Sequence, residues 1–365
     1  MRVGIPKEIK RGEHRVSGTP DCVAAYVRAG HEVLVQASAG FDSGFDDDAY
    51  RAAGAEVVGD AEEVFAHADM IMKVKEPLPA EYGLLRPGQL LYTYLHLAAV
   101  PELAQVLIER DVTAVAYETI QLESGALPCL APMSAIAGRL SVQQGAKYLE
   151  AQYGGRAVLL GGVAGVQRAR VVILGGGVVG TEAAKMAVGL GADVIILDVS
   201  QRRMMELDDL FGARVQTLYS NEGNIARALG VADLVIGAVL VPGASAPKLI
   251  RREHLAAMQR GALIVDVAVD QGGCAETTEV TTHDEPIRVV DGILHYGVAN
   301  MPAAVARTST LALSAITCPY GVLIASRGFD AAVRERPELA RGLNVRDGRI
   351  THPAVAASLD LSDAA

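Results

Sequence analysis

A chain of 365 residues is long for one compact domain and short for three, so two domains of ordinary size, each with its own core, are expected. Half of the residues are hydrophobic, yet only 4% are aromatic and Trp is absent, which points to cores of Ala, Val, Leu and Ile like those of helix-covered parallel sheets. The 43 acidic against 33 basic residues give a net charge of −10, and no Lys or Arg run follows a phosphate backbone, which argues against a nucleic-acid partner.

Taken in chain order, Arg2-Val3-Gly4-Ile5-Pro6 reads as a strand and not as a basic, apolar and small-residue export signal. Apolar runs such as 234–242 are too short to cross a membrane, and a cytoplasmic location is expected. Residues 2–4, 32–35, 56–58, 70–74, 89–94 and 113–116 read as strands, with helical patterns such as 20–29 and 101–109 between them. Alternation of this kind predicts a parallel, doubly wound sheet. Residues 132–153 then place Ile136, Leu140, Ala146 and Leu149 at roughly helical spacing until Gly154-Gly155 stops the pattern.

A second alternating series has strands at 171–174, 193–197, 214–218, 233–236, 263–266 and 295–298, followed by a long helical pattern at 309–325 and a helical tail. The expected fold is therefore α/β, two doubly wound, Rossmann-like parallel sheets joined by two long hinge helices. Residues 1–128 and 309–365 would form a substrate domain, and 129–308 an inserted nucleotide domain. Cys22, Cys129, Cys274 and Cys318 lie far apart in the sequence without a C-x-x-C pair, and the eight histidines are scattered. Free buried thiols and no metal site are expected.

Val171-Val172-Ile173-Leu174 leads into Gly175-Gly176-Gly177-Val178-Val179-Gly180 and then Thr181-Glu182-Ala183-Ala184-Lys185-Met186, which is strand, glycine turn and helix in that order. A bare G-x-G-x-x-G is a weak signal; this context makes it a strong one for a dinucleotide. Gly175 permits the tight turn, Gly177 lets a pyrophosphate approach the backbone, and Gly180 lets helix and strand pack closely. The phosphates would sit on the helix N-terminus, where unpaired N–H groups and the dipole favour negative charge. The next strand ends in Asp198, about 20 residues on, at the place of the carboxylate that holds the adenosine ribose. An acid there predicts NAD over NADP, although Arg202 and Arg203 follow and could neutralise a 2′-phosphate. Gly161-Gly162-Val163-Ala164-Gly165 also follows an apolar run, but too few residues remain before the next strand for a phosphate-binding helix, and it reads as a loop.

Four polar residues are candidates for chemistry. His96 ends the run 90–95, a strand end where ligand crevices open in α/β sheets; it is an acid/base near neutral pH or a satisfied, partly buried histidine. Lys75 ends the apolar strand that begins at Met70, with alternation placing Lys73 and Lys75 on one face; it is either solvated or aimed at a carboxylate or carbonyl. Arg15, in the loop after the first strand, offers a fork that matches a carboxylate, or is an ordinary surface arginine. Asp270 follows the strand 263–266 and precedes Gln271-Gly272-Gly273; it is a strand-end acid over the nucleotide or a turn cap.

Taken together, these stretches resemble the alanine dehydrogenase family over nearly the whole chain. The matching text is Arg2-Val3-Gly4-Ile5-Pro6-Lys7-Glu8, Lys73-Val74-Lys75-Glu76-Pro77, His96-Leu97-Ala98, Tyr117-Glu118-Thr119, Ala131-Pro132-Met133-Ser134, Gly237-Ala238-Val239-Leu240-Val241-Pro242-Gly243, Asp270-Gln271-Gly272-Gly273 and Val298-Ala299-Asn300-Met301-Pro302. The resemblance implies an NAD-dependent, reversible oxidative deamination of L-alanine to pyruvate and ammonia. It implies that Arg15 and Lys75 hold the substrate's carboxylate and carbonyl side, that His96 is the acid/base, and that Asp270 positions or deprotonates water or ammonia. It also implies that Ser134, Val178, Asp198, Arg203, Ser220, Val239, Leu240, Val267 and Asn300 contact the cofactor, and that the chain assembles as a homohexamer. Two departures stand out: Arg15-Val16-Ser17-Gly18-Thr19-Pro20 replaces the family's R-V-A-x-T-P, and Pro132-Met133-Ser134-Ala135 lacks the carboxylate of P-M-S-E. The alternatives are an NAD-binding, transhydrogenase-type subunit, which needs a membrane partner, and a catalytically silent NAD sensor. A saccharopine-forming enzyme is a weaker relative.

Overall fold

The first six strands, β1 (Arg2–Ile5), β2 (Glu32–Gln36), β3 (Glu56–Val58), β4 (Met70–Met72), β5 (Leu90–Thr93) and β6 (Thr113–Ala116), pair in parallel in the order β3-β2-β1-β4-β5-β6. β4 and β5 are buried at every position, as expected of strands covered on both faces. Helices between the strands start on matched caps: the Thr19, Asp46 and Asp60 side chains accept backbone N–H groups at the starts of helices Pro20–Arg28, Asp47–Ala52 and Ala61–His67. The computed structural model describes residues 1–239 and 246–359, and the chain divides into two compact units, Met1–Met133 with Ala303–Ala365, and Ser134–Pro302. The chain leaves the first unit within helix Ala131–Tyr148, which stops five residues short of the expected end at 153, where a separate turn of 3-10 helix, Ala151–Tyr153, follows.

The second unit holds β7 (Arg170–Leu174), β8 (Asp193–Asp198), β9 (Val215–Tyr219), β10 (Leu234–Gly237), β11 (Leu263–Asp266), β12 (Ile287–Val290) and β13 (Ile293–Tyr296), in the order β12-β13-β11-β10-β7-β8-β9. All pairs are parallel except the β12–β13 hairpin. β12 is half exposed and lacks a run of buried apolar residues, which is why periodicity passes over it. The glycine-rich segment 161–165 is a turn closed by a Val163–Val166 bridge, as its sequence predicts.

The tail returns to the first unit. Helix Ala306–Arg327 runs through Pro319 and packs on helix Pro20–Arg28; a Cβ at Gly321 would stand 2.0 Å from the Tyr26 hydroxyl, so only glycine fits that crossing. The tail is not purely helical: β14 (Leu343–Arg346) pairs antiparallel with β6, and β15 (Arg349–Ile350) with β14. The C-terminal residues 358–365, which their sequence predicts to be disordered, lie outside the described residues apart from Ser358, which ends a helix, and Leu359. By length and hydropathy the stretch Met301–Arg327 is long enough to cross a bilayer, yet half of its most apolar window is buried within the protein. All four cysteines are free and buried.

Candidate active site and nucleotide edge

Each sheet changes direction of winding between its first strand and a later neighbour, and that switch opens a crevice at the carboxyl ends of the strands. In the first unit the switch lies between β1 and β4. The loop after β1 carries Arg15, the segment after β4 carries Lys75, and β5 ends just before His96, so three of the four candidate residues share one edge of one sheet.

Arg15 is 2% exposed. Its Nε and Nη2 donate to the two oxygens of Glu13 at 2.7 and 2.5 Å, and its Nη1 reaches the Met133 sulfur at 3.0 Å. Burial works against its charge, and Glu13 more than restores it, so its pKa is raised. Lys75 is half-buried, and burial, helped by the charges of Arg15 and Lys10, holds its pKa below that of an ordinary lysine. β4 ends at Met72, so strand alternation does not extend to Lys73 and Lys75. Lys73 is instead fully buried, donating to Glu81 at 2.8 Å and Glu8 at 3.2 Å.

His96 sits in the left-handed region at φ 49°, with a side chain 41% exposed. A non-glycine residue there is uncommon and costs free energy. Its N–H donates to Glu118 at 2.7 Å, Nδ1 lies 4.0 Å from the same carboxylate, and the ring stacks on Tyr94 at 5.9 Å between centroids. Tyr94 is buried and donates to the Cys129 carbonyl at 2.6 Å. The imidazole is thus aimed by its neighbours while its edge remains open to solvent.

In the second unit the switch lies between β7 and β10, and the glycine turn follows β7. Gly175 has φ +101°, and a Cβ there would stand 2.7 Å from the Ala238 carbonyl oxygen. A Cβ on Gly180 would stand 1.9 Å from the Gly175 oxygen, whereas a Cβ on Gly177 would meet nothing within 4 Å. Helix Val178–Gly189 has Gly177 as its N-cap and no side-chain cap. A tight turn, a close helix crossing, one open glycine and an uncapped helix start are what a pyrophosphate needs.

Asp198 ends β8; it accepts the Gly176 N–H at 2.7 Å and the Ser200 N–H at 2.8 Å. Arg203 donates to the Gly176 carbonyl at 2.7 Å and to Thr181 at 2.6 Å, and ion-pairs with Glu206 at 2.6 Å. Its guanidinium is therefore tied to the turn rather than held ready for a 2′-phosphate. Ser220 follows β9 and donates its N–H to the Asp198 carbonyl at 2.9 Å; Val239 and Val267 follow β10 and β11. Asp270 lies in the short turn Val269–Gln271 after β11, and accepts the N–H of Asn300 at 3.4 Å. Asn300 has φ 55°. Ser134 lies on helix Ala131–Tyr148, one turn before Gly138, where a Cβ would press to 2.2 Å on the Val179 carbonyl. Val178 opens the helix after the turn. Leu240, also expected at the cofactor, lies outside the described residues.

The candidates that follow β7, β8, β9, β10 and β11 among the described residues thus lie on the carboxyl edge of the second unit's sheet, and Asp270 belongs to that group. Periodicity and motif reading passed over the acids that hold these residues: Glu13 under Arg15, Glu118 behind His96, Glu8 with Lys73, and Asp266. Asp266 is buried and accepts N–H groups of Ala268, Cys274 and Ala275, which fixes the loop that carries Asp270. Glu8, Lys73 and Glu118 stood in the matched motifs; their partners are distant in sequence, so no local pattern pairs them. Among the described residues no group of three or more His, Cys, Asp or Glu is placed to hold a metal.

Residues 4–137 match the family described as alanine dehydrogenase/PNT, N-terminal domain, and residues 141–353 match its C-terminal domain. The chain is 55% identical to an alanine dehydrogenase of Methanococcus maripaludis over 99% of this chain and 97% of the relative. A solved L-alanine dehydrogenase shares 54% identity at a TM-score of 0.96, covering 99% of this chain and 100% of the other. A transhydrogenase structure from Sinorhizobium meliloti shares 26% identity at a TM-score of 0.84, covering 97% of this chain and all of the other. The chain belongs to the alanine dehydrogenase/PNT family.

Proposed function

We propose that this chain is an NAD-dependent L-alanine dehydrogenase, catalysing the reversible oxidative deamination of L-alanine to pyruvate and ammonia. The observation that carries this reading is Arg15, Lys75 and His96 on one sheet edge, in a chain whose other unit bears a dinucleotide-type glycine turn after β7 and Asp198 at the end of β8. A small 2-oxo or 2-amino acid needs a cationic carboxylate site and an acid/base. A transfer between two nucleotides needs neither, and this favours the dehydrogenase over the transhydrogenase reading.

The fit to NAD rests on the glycine turn and Asp198. Gly175, Gly177 and Gly180 with Val178 would take the pyrophosphate, Asp198 the adenosine ribose, and Ser134, Arg203, Ser220, Val239, Leu240, Val267 and Asn300 the remaining contacts. The chemistry supplied by bound NAD is acceptance of a hydride from the substrate Cα. Arg15 and Lys75 bind the substrate carboxylate and polarise the carbonyl side. Water adds to the imine; His96 takes its proton, and Asp270 positions the water and, in reverse, ammonia. His96 then protonates the leaving amine, and the carbinolamine collapses to the 2-oxo acid and ammonia as its hydroxyl proton passes to solvent.

The protein acts in the cytoplasm, without a nucleic-acid or membrane partner, and as a homo-oligomer, a hexamer by family likeness. Leu159, Val163 and Val166 leave more than half of their surface exposed, as expected of side chains that a second copy covers. The test is absorbance of reduced nicotinamide with NAD and L-alanine. NADH formation is expected, with higher kcat/KM for NAD than for NADP. No signal with alanine, glycine or serine overturns the reading.

A further inference from the structure

Two of the matched motifs, Arg2-Val3-Gly4-Ile5-Pro6-Lys7-Glu8 and Lys73-Val74-Lys75-Glu76-Pro77, contain only one residue with a role in the proposed chemistry, Lys75. The structure accounts for much of the rest, because the two motifs lock onto each other across the switch point between β1 and β4. Glu8 is buried on the loop after β1. Its Oε1 accepts the N–H of Val74 at 2.6 Å and of Lys75 at 3.3 Å, and its Oε2 lies 3.2 Å from Lys73 Nζ. Lys73 turns to Glu81 at 2.8 Å, whose other oxygen accepts the Leu78 N–H at 2.9 Å. The segment 73–81 is therefore folded around one buried ammonium. A second bridge, Lys10 to Glu76, spans the same two loops.

The backbone of Lys75 is held from both sides: its N–H by Glu8, and its carbonyl by the Thr93 hydroxyl at 2.9 Å. Its ammonium makes no hydrogen bond or ion pair among the described residues. With no partner to aim it, the position of that ammonium follows from where the backbone is pinned. A charge held ready for a carboxylate needs such support, because a displacement of about 1 Å costs about 100-fold in rate.

We infer that Glu8 is a positioning residue for Lys75, setting the affinity for the substrate carboxylate by clamping the backbone of 74–75 across the switch point. This rests on the alanine dehydrogenase reading. Carboxylate rather than amide is required, because one oxygen must accept two N–H groups while the other faces the Lys73 ammonium. Burial raises the pKa of Glu8 against the pull of Lys73, and Lys73 in turn is kept protonated by Glu8 and Glu81.

The test compares wild type, Glu8→Gln and Thr93→Val in steady state with pyruvate, ammonia and NADH. Expected in both variants is a KM for pyruvate raised about tenfold or more, a KM for NADH within about twofold of wild type, and a smaller change in kcat, the pattern of lost ground-state binding. Freed from burial beside Arg15, Lys10, Glu13 and Glu76, the Lys75 ammonium titrates nearer an ordinary lysine, so the alkaline fall in pyruvate affinity moves to higher pH. A folded Glu8→Gln protein with unchanged pyruvate KM and pH profile overturns the inference. If Glu8→Gln does not fold, the near-isosteric Thr93→Val decides alone, and an unchanged pyruvate KM overturns it equally. A wild-type protein that makes no NADH from alanine sinks the dehydrogenase reading instead, which keeps the two failures apart.

Discussion

His96 combines a backbone conformation that costs stability with a side chain aimed by Glu118 and Tyr94. Glycine is the one residue that adopts that φ freely. His96→Gly is therefore expected to melt no lower than wild type while losing about 100-fold to 10,000-fold in kcat/KM, the range for a deleted acid/base; calorimetry and NADH kinetics check both halves. A melting temperature lowered together with activity would mean that His96 serves the fold.

Lys75 has a pH signature whose sign is fixed by its lowered pKa. The folded state disfavours its charged form, so Lys75 costs stability below its folded pKa. That cost disappears as pH rises past its unfolded value of about 10.4. Carboxylate binding runs the opposite way and is lost as the ammonium deprotonates. Inhibition by oxamate, a non-reacting carboxylate, is expected to weaken with rising pH from below the range of an ordinary lysine. Lys75→Arg, which stays charged, is expected to flatten that limb; an unchanged limb in the variant assigns the titration elsewhere.

At the scale of the element, the glycine turn is defined by what a methyl group would hit. Gly180→Ala puts a Cβ 1.9 Å from the Gly175 oxygen, so helix Val178–Gly189 must move away from β7. The overpacked variant is expected to lose about 1–3 kcal/mol of stability and to bind NADH at least tenfold more weakly, read by nucleotide fluorescence. Gly177→Ala meets nothing on the protein. It is expected to leave stability within about 1 kcal/mol while weakening NADH binding, because in the proposed site the pyrophosphate would lie against that open side. Equal effects at the two positions would contradict the division of roles between the glycines.

At the scale of the whole molecule, the two family matches divide the chain linearly near residue 140, while the compact units divide it twice. β14 completes the sheet beside β6, and helix Ala306–Arg327 covers helix Pro20–Arg28. A fragment of residues 1–133 lacks that strand and that helix and is expected to be aggregated or molten by near-UV circular dichroism. A fragment of residues 134–302 contains a complete sheet and is expected to fold and bind NADH. A well-folded 1–133 fragment would show that the tail is an accessory.

The sequence by itself determined most of the strand inventory, the glycine turn, Asp198 and the positions of Arg15, Lys75, His96 and Asp270, because apolar runs, glycines and strand-end polar residues are local signals. Exposed β12, the two-residue β15 and β14, whose polar Asn344 and Arg346 interrupt any apolar run, carry no such signal, and periodicity does not register them. Tertiary structure alone decided which acid answers which base. Glu8 meets Lys73 across 65 residues of chain, Glu118 meets His96 across 22, and only the winding of the sheet brings them together. It also decided that Lys73 is a buried structural ammonium, while the ammonium of Lys75, two residues on, makes no ion pair among the described residues. Strand alternation cannot separate two residues that follow the last strand position, whereas burial and a carboxylate within reach can.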